Sequence, residues 1–109
     1  MIIDLKSMQE QVIPAFKGGE KSAAMRMFVD ERNRIMQGRL VPGASIGMHT
    51  HETNSEILFV IQGCGHVIDN GETLPVEAGQ CHYCRKGHTH SLINDGVSDL
   101  VFYACVPEQ

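Results

Sequence analysis

The sequence predicts an all-β sandwich or barrel behind a short irregular or helical N-terminal segment. Three observations carry that prediction. Short apolar runs recur at spacings of about ten residues with turn residues between them. Asn70-Gly71, between VID and ETLPV, is the dipeptide that a two-residue hairpin turn needs. A chain of 109 residues has room for one hydrophobic core, so a single domain is expected over 1–109.

In chain order, residues 4–11 are expected to make one short helical turn, with Ile13-Pro14 ending it because the residue before proline is pushed out of helical geometry. Gly18-Gly19-Glu20-Lys21 reads as a loop, so about 1–22 forms an N-terminal arm. Strands are expected over roughly 24–29, 34–41, 45–50, 56–62, 65–69, 73–76, 81–85, 89–94 and 99–106. The breaks fall at Pro42-Gly43, Thr53-Asn54, Gly63, Asn70-Gly71, Ala78-Gly79, Gly87 and Asn94-Asp95-Gly96. The run ILFVI (57–61) is apolar on both faces, with Leu58 and Val60 pointing one way and Ile57, Phe59 and Ile61 the other. One face can fill a barrel; the other needs a second sheet, the N-terminal segment or another subunit, and a homodimer is the expectation carried forward.

Composition narrows the function classes. The chain is 42% hydrophobic and 20% charged, and no apolar run approaches the ~20 residues of a membrane-spanning helix. The opening MIIDLKSMQEQ lacks the basic and apolar regions of a signal peptide, so a cytoplasmic location and no membrane partner are expected. A formal charge of -4, with Arg26, Arg32, Arg34 and Arg39 scattered among acids, argues against nucleic acid as a partner. The four cysteines are expected as reduced thiols, with Cys64 and Cys105 structural.

Two stretches carry chemistry. CHYCRKGHTH (81–90) has the soft ligands of a zinc knuckle, but an extended strand sends Cys81 and Cys84 to opposite faces and no glycine supplies a tight turn between them. In GASIGMHTHETNSEILFVIQG (43–63), His49 and His51 share a strand face. Residues 52–55 can reverse the chain, and Glu56 opens the next strand beside the two imidazoles. Two His and one Glu on paired strands make a rigid facial set for a first-row divalent metal.

At these residues the chain resembles the small single-domain bacterial cupins. The first cupin motif, G-x5-H-x-H-x4-E-x6-G, is met by Gly43, His49, His51, Glu56 and Gly63. The second, G-x5-P-x-G-x2-H-x3-N, is met by Gly79, Gly87, His90 and Asn94, with Arg85 where proline is usual. The resemblance implies a jelly-roll barrel holding one divalent transition metal per chain (Mn, Fe, Ni, Zn or Cu) on His49, His51, Glu56 and His90. It also implies a small-molecule ligand, and a metalloenzyme of isomerase or dioxygenase type acting on a small oxygenated metabolite. A non-catalytic binding or sensing module and a metal-free structural barrel are the alternatives.

Alternation puts His82 on one face with Cys84, which reads as small core filler, and the resemblance to cupins implies that this face points inward. His82 is the candidate catalytic acid or base, against the alternatives of a group supporting the metal ligands and a hydrogen-bonded core histidine. His88 reads as an exposed turn residue or a group at the cavity mouth, and His66 as a surface residue. Among the methionines, Met36 or Met48 is a candidate to line the cavity.

Overall fold

In the last strand, Leu100, Phe102, Ala104 and Val106 are buried while Tyr103 between them is exposed. That period of two is repeated along most of the chain. The computed structural model describes residues 1–109 and contains ten strands in two antiparallel sheets. They are β1 (Gln11–Pro14), β2 (Ser22–Val29), β3 (Asn33–Leu40), β4 (Ser45–Thr50), β5 (Glu56–Gln62), β6 (Cys64–Asp69), β7 (Glu72–Glu77), β8 (Cys81–Cys84), β9 (Thr89–Ile93) and β10 (Leu100–Pro107). One sheet has the order β1-β2-β3-β10-β5-β8 and the other β4-β9-β6-β7. Met25, Leu40, Leu58, Val60, Leu100 and Phe102 lie between the sheets with 2% exposure or less.

All nine expected strands are present. Asn70 and Gly71 both adopt positive φ (47° and 84°) and join β6 to β7 at the Asp69–Glu72 pair, as the hairpin dipeptide requires. No helix is long and apolar enough to cross a membrane.

The N-terminal segment departs from expectation in detail. The helical turn shrinks to a 3-10 turn at Leu5–Ser7, and Gln11–Pro14 instead forms an edge strand on β2. Proline is tolerated there because an edge strand leaves one row of N–H groups unneeded. Phe16–Gly18 makes a second 3-10 turn, with positive φ at Ala15, Lys17, Gly18 and Lys21. This turn presses on β4 so closely that a Cβ on Gly47 would strike the Lys17 carbonyl. It thereby covers one end of the space between the sheets, where Phe16 and Lys17 line the cavity.

Candidate metal centre

The donors come from both sheets. β4 and β9 pair with Ile46 opposite Leu92 and His49 opposite His90, so three steps on one strand face two on the other. The extra residue is a β-bulge, which turns the strand about its axis. As a result Ile46 enters the core, Met48 is half exposed, and His49 and His51 both turn inward. Met36 lines the cavity and Met48 does not. Glu56 opens β5 in the opposite sheet, paired with Cys84 of β8. Ahead of β9, Arg85 accepts the His88 N–H at 3.0 Å, so the turn closes without proline and Gly87 supplies its positive φ of 87°.

Four atoms converge. His90 Nε2 lies 3.0 Å from His51 Nε2, 3.1 Å from His49 Nε2 and 3.2 Å from Glu56 Oε1. Glu56 Oε1 is 3.1 Å from His51 Nε2 and 4.0 Å from His49 Nε2. With metal–donor lengths of about 2.1 Å, an octahedron places adjacent donors about 3.0 Å apart and opposite donors about 4.2 Å apart. These separations suit donors gathered around one ion, and all four ligand atoms lie within 4.8 Å of one another.

The remaining ring nitrogens decide which atoms face the centre. His49 Nδ1 donates to the Gly47 carbonyl at 2.7 Å, and His51 Nδ1 to Asn54 Oδ1 at 2.6 Å. His90 Nδ1 meets His82 Nε2 at 3.0 Å. With the Nδ1 protons engaged outward, three bare Nε2 lone pairs and a carboxylate face each other, an arrangement that a cation between them satisfies. The residues present therefore fit a divalent metal.

The electrostatics agree. Burial pushes the Glu56 carboxyl up, but where protons on His51 and His90 Nε2 take the place of a cation, their hydrogen bonds outweigh it and leave the pKa at about 2. Burial pushes His49 below the ordinary imidazole range, whereas the hydrogen bond with Glu56 raises His51.

The knuckle does not form, because Cys81 is exposed and Cys84 is buried on the opposite face. Burial pushes the Cys84 thiol up to about 12, which keeps it neutral core filler. His82 is buried but does not line the cavity; it sits behind His90, the two rings stacked at 5.2 Å, and borders an outer groove with Val67, Leu74 and Gln80. His88 is half buried and 2.8 Å from Asp69, while His66 lies 2.7 Å from Asp95 on the surface. Asn54 and the bulge at Gly47 escaped the sequence reading, although Asn54 sits between the motif residues His51 and Glu56.

A family model, Cupin domain, matches residues 36–106 and takes in all four converging donors. The chain is a cupin. The oxalate-binding protein of Thermotoga maritima is 30% identical over 112 residues, spanning 97% of this cupin and 93% of that protein. The crystal structure of a predicted oxalate decarboxylase from Thermotoga maritima superposes with a TM-score of 0.93 at 29% identity, over 100% of both chains. A cupin domain from Schizosaccharomyces pombe shares the fold at a TM-score of 0.82 and 15% identity, covering 100% of this chain and 74% of that one.

Proposed function

We propose that this cupin holds one divalent transition metal between His49, His51, Glu56 and His90 and binds a small carboxylate there, oxalate being the first to test. The observation that carries the reading is the convergence of three Nε2 atoms and one carboxylate oxygen whose outward hydrogen bonds leave their lone pairs facing one another. Three neutral imidazoles and one carboxylate leave a divalent ion with net positive charge, which favours an anionic oxygen ligand. Four protein donors would leave such an ion room for further oxygen ligands, which a chelating acid could supply. The name of the Thermotoga relative agrees with that ligand class.

When bound, the metal supplies a Lewis acid that polarises an oxygen ligand. A metalloenzyme of isomerase or dioxygenase type, acting on a small oxygenated metabolite, is the second reading. What favours it is Glu52, the one carboxylate lining the cavity besides the ligand Glu56. His82 enters either reading through His90, since it does not line the cavity.

Elemental analysis joined to calorimetry tests the proposal. Purified protein should carry about one metal per chain, and His49→Ala, His51→Ala, Glu56→Gln and His90→Ala should each lose it. The pair Cys81→Ser and Cys84→Ser together should keep it. Oxalate should bind the loaded protein and not the stripped one; equal binding to both would remove the metal from the reading.

We also propose that the protein is a homodimer. On the outer face of the six-stranded sheet, Phe59, Ile61, Tyr83 and Tyr103 are 42–50% exposed. They are neighbours, with Phe59 opposite Tyr103 and Ile57 opposite Tyr83. The N-terminal segment does not cover them, because β1 lies at the far β2 edge.

A further inference from the structure

The cavity has more room than oxalate uses. Its volume of about 290 Å³ is the liquid share of roughly ten waters at about 30 Å³ each. Oxalate, two carboxylates joined back to back, would turn two oxygens to the metal donors and two away, and its six heavy atoms leave the rest of this space to water.

The chemistry of the walls is segregated. The metal donors and the exposed lining residues Lys17, Arg34 and Glu52 share one end, the mouth, since Glu56 opens β5 level with Val106 of β10, which pairs with Arg34. Deeper in, the lining is Met25, Met27, Met36, Leu92 and Phe102, none of which offers a strong hydrogen-bonding group. Strand direction fixes this order. On β3 the inward residues run Leu40, Gly38, Met36, Arg34, from the buried core to the exposed rim, and Met27 of β2 pairs with Met36. Water against such walls lacks the two to four polar partners that order it, so an apolar group displacing it gains affinity. A second carboxylate among the methionines would be a buried charge without a partner.

Resting on the carboxylate reading above, we propose that the preferred ligand is a 2-oxo or 2-hydroxy carboxylate bearing an apolar chain. Its two oxygens, on adjacent carbons, take the place that oxalate would take. Unlike oxalate, it has a carbon substituent left over, and this runs inward along the methionine wall. Methionines suit a chain of variable shape because their own side chains adapt. Two cations against one acid at the mouth favour entry of an anion.

The test is calorimetric titration of nickel-loaded protein with oxalate, pyruvate, 2-oxobutanoate, 2-oxopentanoate and 2-oxohexanoate. The dissociation constant should fall about fourfold per added methylene until the apolar wall is filled. Met27→Glu, which puts a charge in the wall, should flatten or reverse the trend, although the wild-type series alone decides. Constants that stay level or rise with chain length overturn the inference. Binding of oxalate without any 2-oxo acid overturns it while leaving the carboxylate reading intact. Binding of no acid, oxalate included, overturns both.

Discussion

His82 Nε2 lies 3.0 Å from His90 Nδ1, so the imidazole closing the donor set leans on a second imidazole instead of a carbonyl or a carboxylate. For His90 Nε2 to face the metal, its Nδ1 must carry the proton and donate to His82. Removing the acceptor in His82→Leu should weaken metal affinity about 10–100-fold, as loss of such outer partners does. His82→Gln, whose amide oxygen can accept the same bond, should recover much of it. Competition against a chelator measures both. Equal affinity in the two variants, whether both reduced or both intact, would reject the positioning role.

The ionisation of the donors sets the direction of metal release with pH. Metal binding needs bare imidazoles and an ionised carboxylate. Glu56, at about pKa 2, takes no proton until far into acid. As pH falls, His51, raised by its bond to Glu56, protonates first, and His49, lowered by burial, resists longer. Affinity should therefore be full above the imidazole range near pH ~6.5 and decline through and below it, with no step near pH ~4.5 where an ordinary glutamate titrates. Chelator competition across pH reads the profile, and a release step centred near pH ~4.5 would contradict the assignment.

The exposed aromatic patch makes a prediction about assembly. Phe59→Asp and Tyr103→Asp sit opposite each other on β5 and β10, and each puts a charge at the middle of the patch. Either should shift the protein from dimer to monomer in sedimentation equilibrium while leaving metal content at the wild-type level. A wild-type protein that sediments as a monomer at high concentration removes the dimer.

What was legible in the sequence was whatever depends on local rules. Turn dipeptides marked the strands, and parity put His49 and His51 on one face and His82 with Cys84 on another. The edge strand Gln11–Pro14 was hidden because Pro14 signals a helix stop as readily as a strand end. The bulge in β4 was hidden because one extra residue leaves the local pattern intact and changes only the pairing with β9. The resemblance to cupins implied that His82 points inward, but its contact with His90 crosses from one sheet to the other, and no spacing rule reports that. The holders of the ligand rings, the Gly47 carbonyl and Asn54, depend on backbone placement in the same way.

The thiols should separate by burial. Cys64 and Cys81 are exposed, whereas Cys84 is fully buried with its pKa pushed up to about 12. Thiolate is the reactive form, so at pH 8 Cys84 stays protonated and shielded. Alkylation of the folded protein followed by peptide mass spectrometry should label Cys64 and Cys81 and spare Cys84 until denaturant is added. Early labelling of Cys84 would show that β8 opens or that the thiol is not where the fold puts it.

Gly38 tests the packing beneath the cavity. It pairs with Phe102 across β3 and β10, and a Cβ at Gly38 would run into the ring of that fully buried side chain. The two cannot share that position, so Gly38→Ala must push Phe102 toward the cavity it lines. Overpacking of this kind costs roughly 1–3 kcal/mol. Thermal unfolding should show the loss, and Phe102→Leu in the same chain should relieve part of it, making the double variant less destabilised than the sum of the single ones. Strict additivity would mean that the two side chains do not meet.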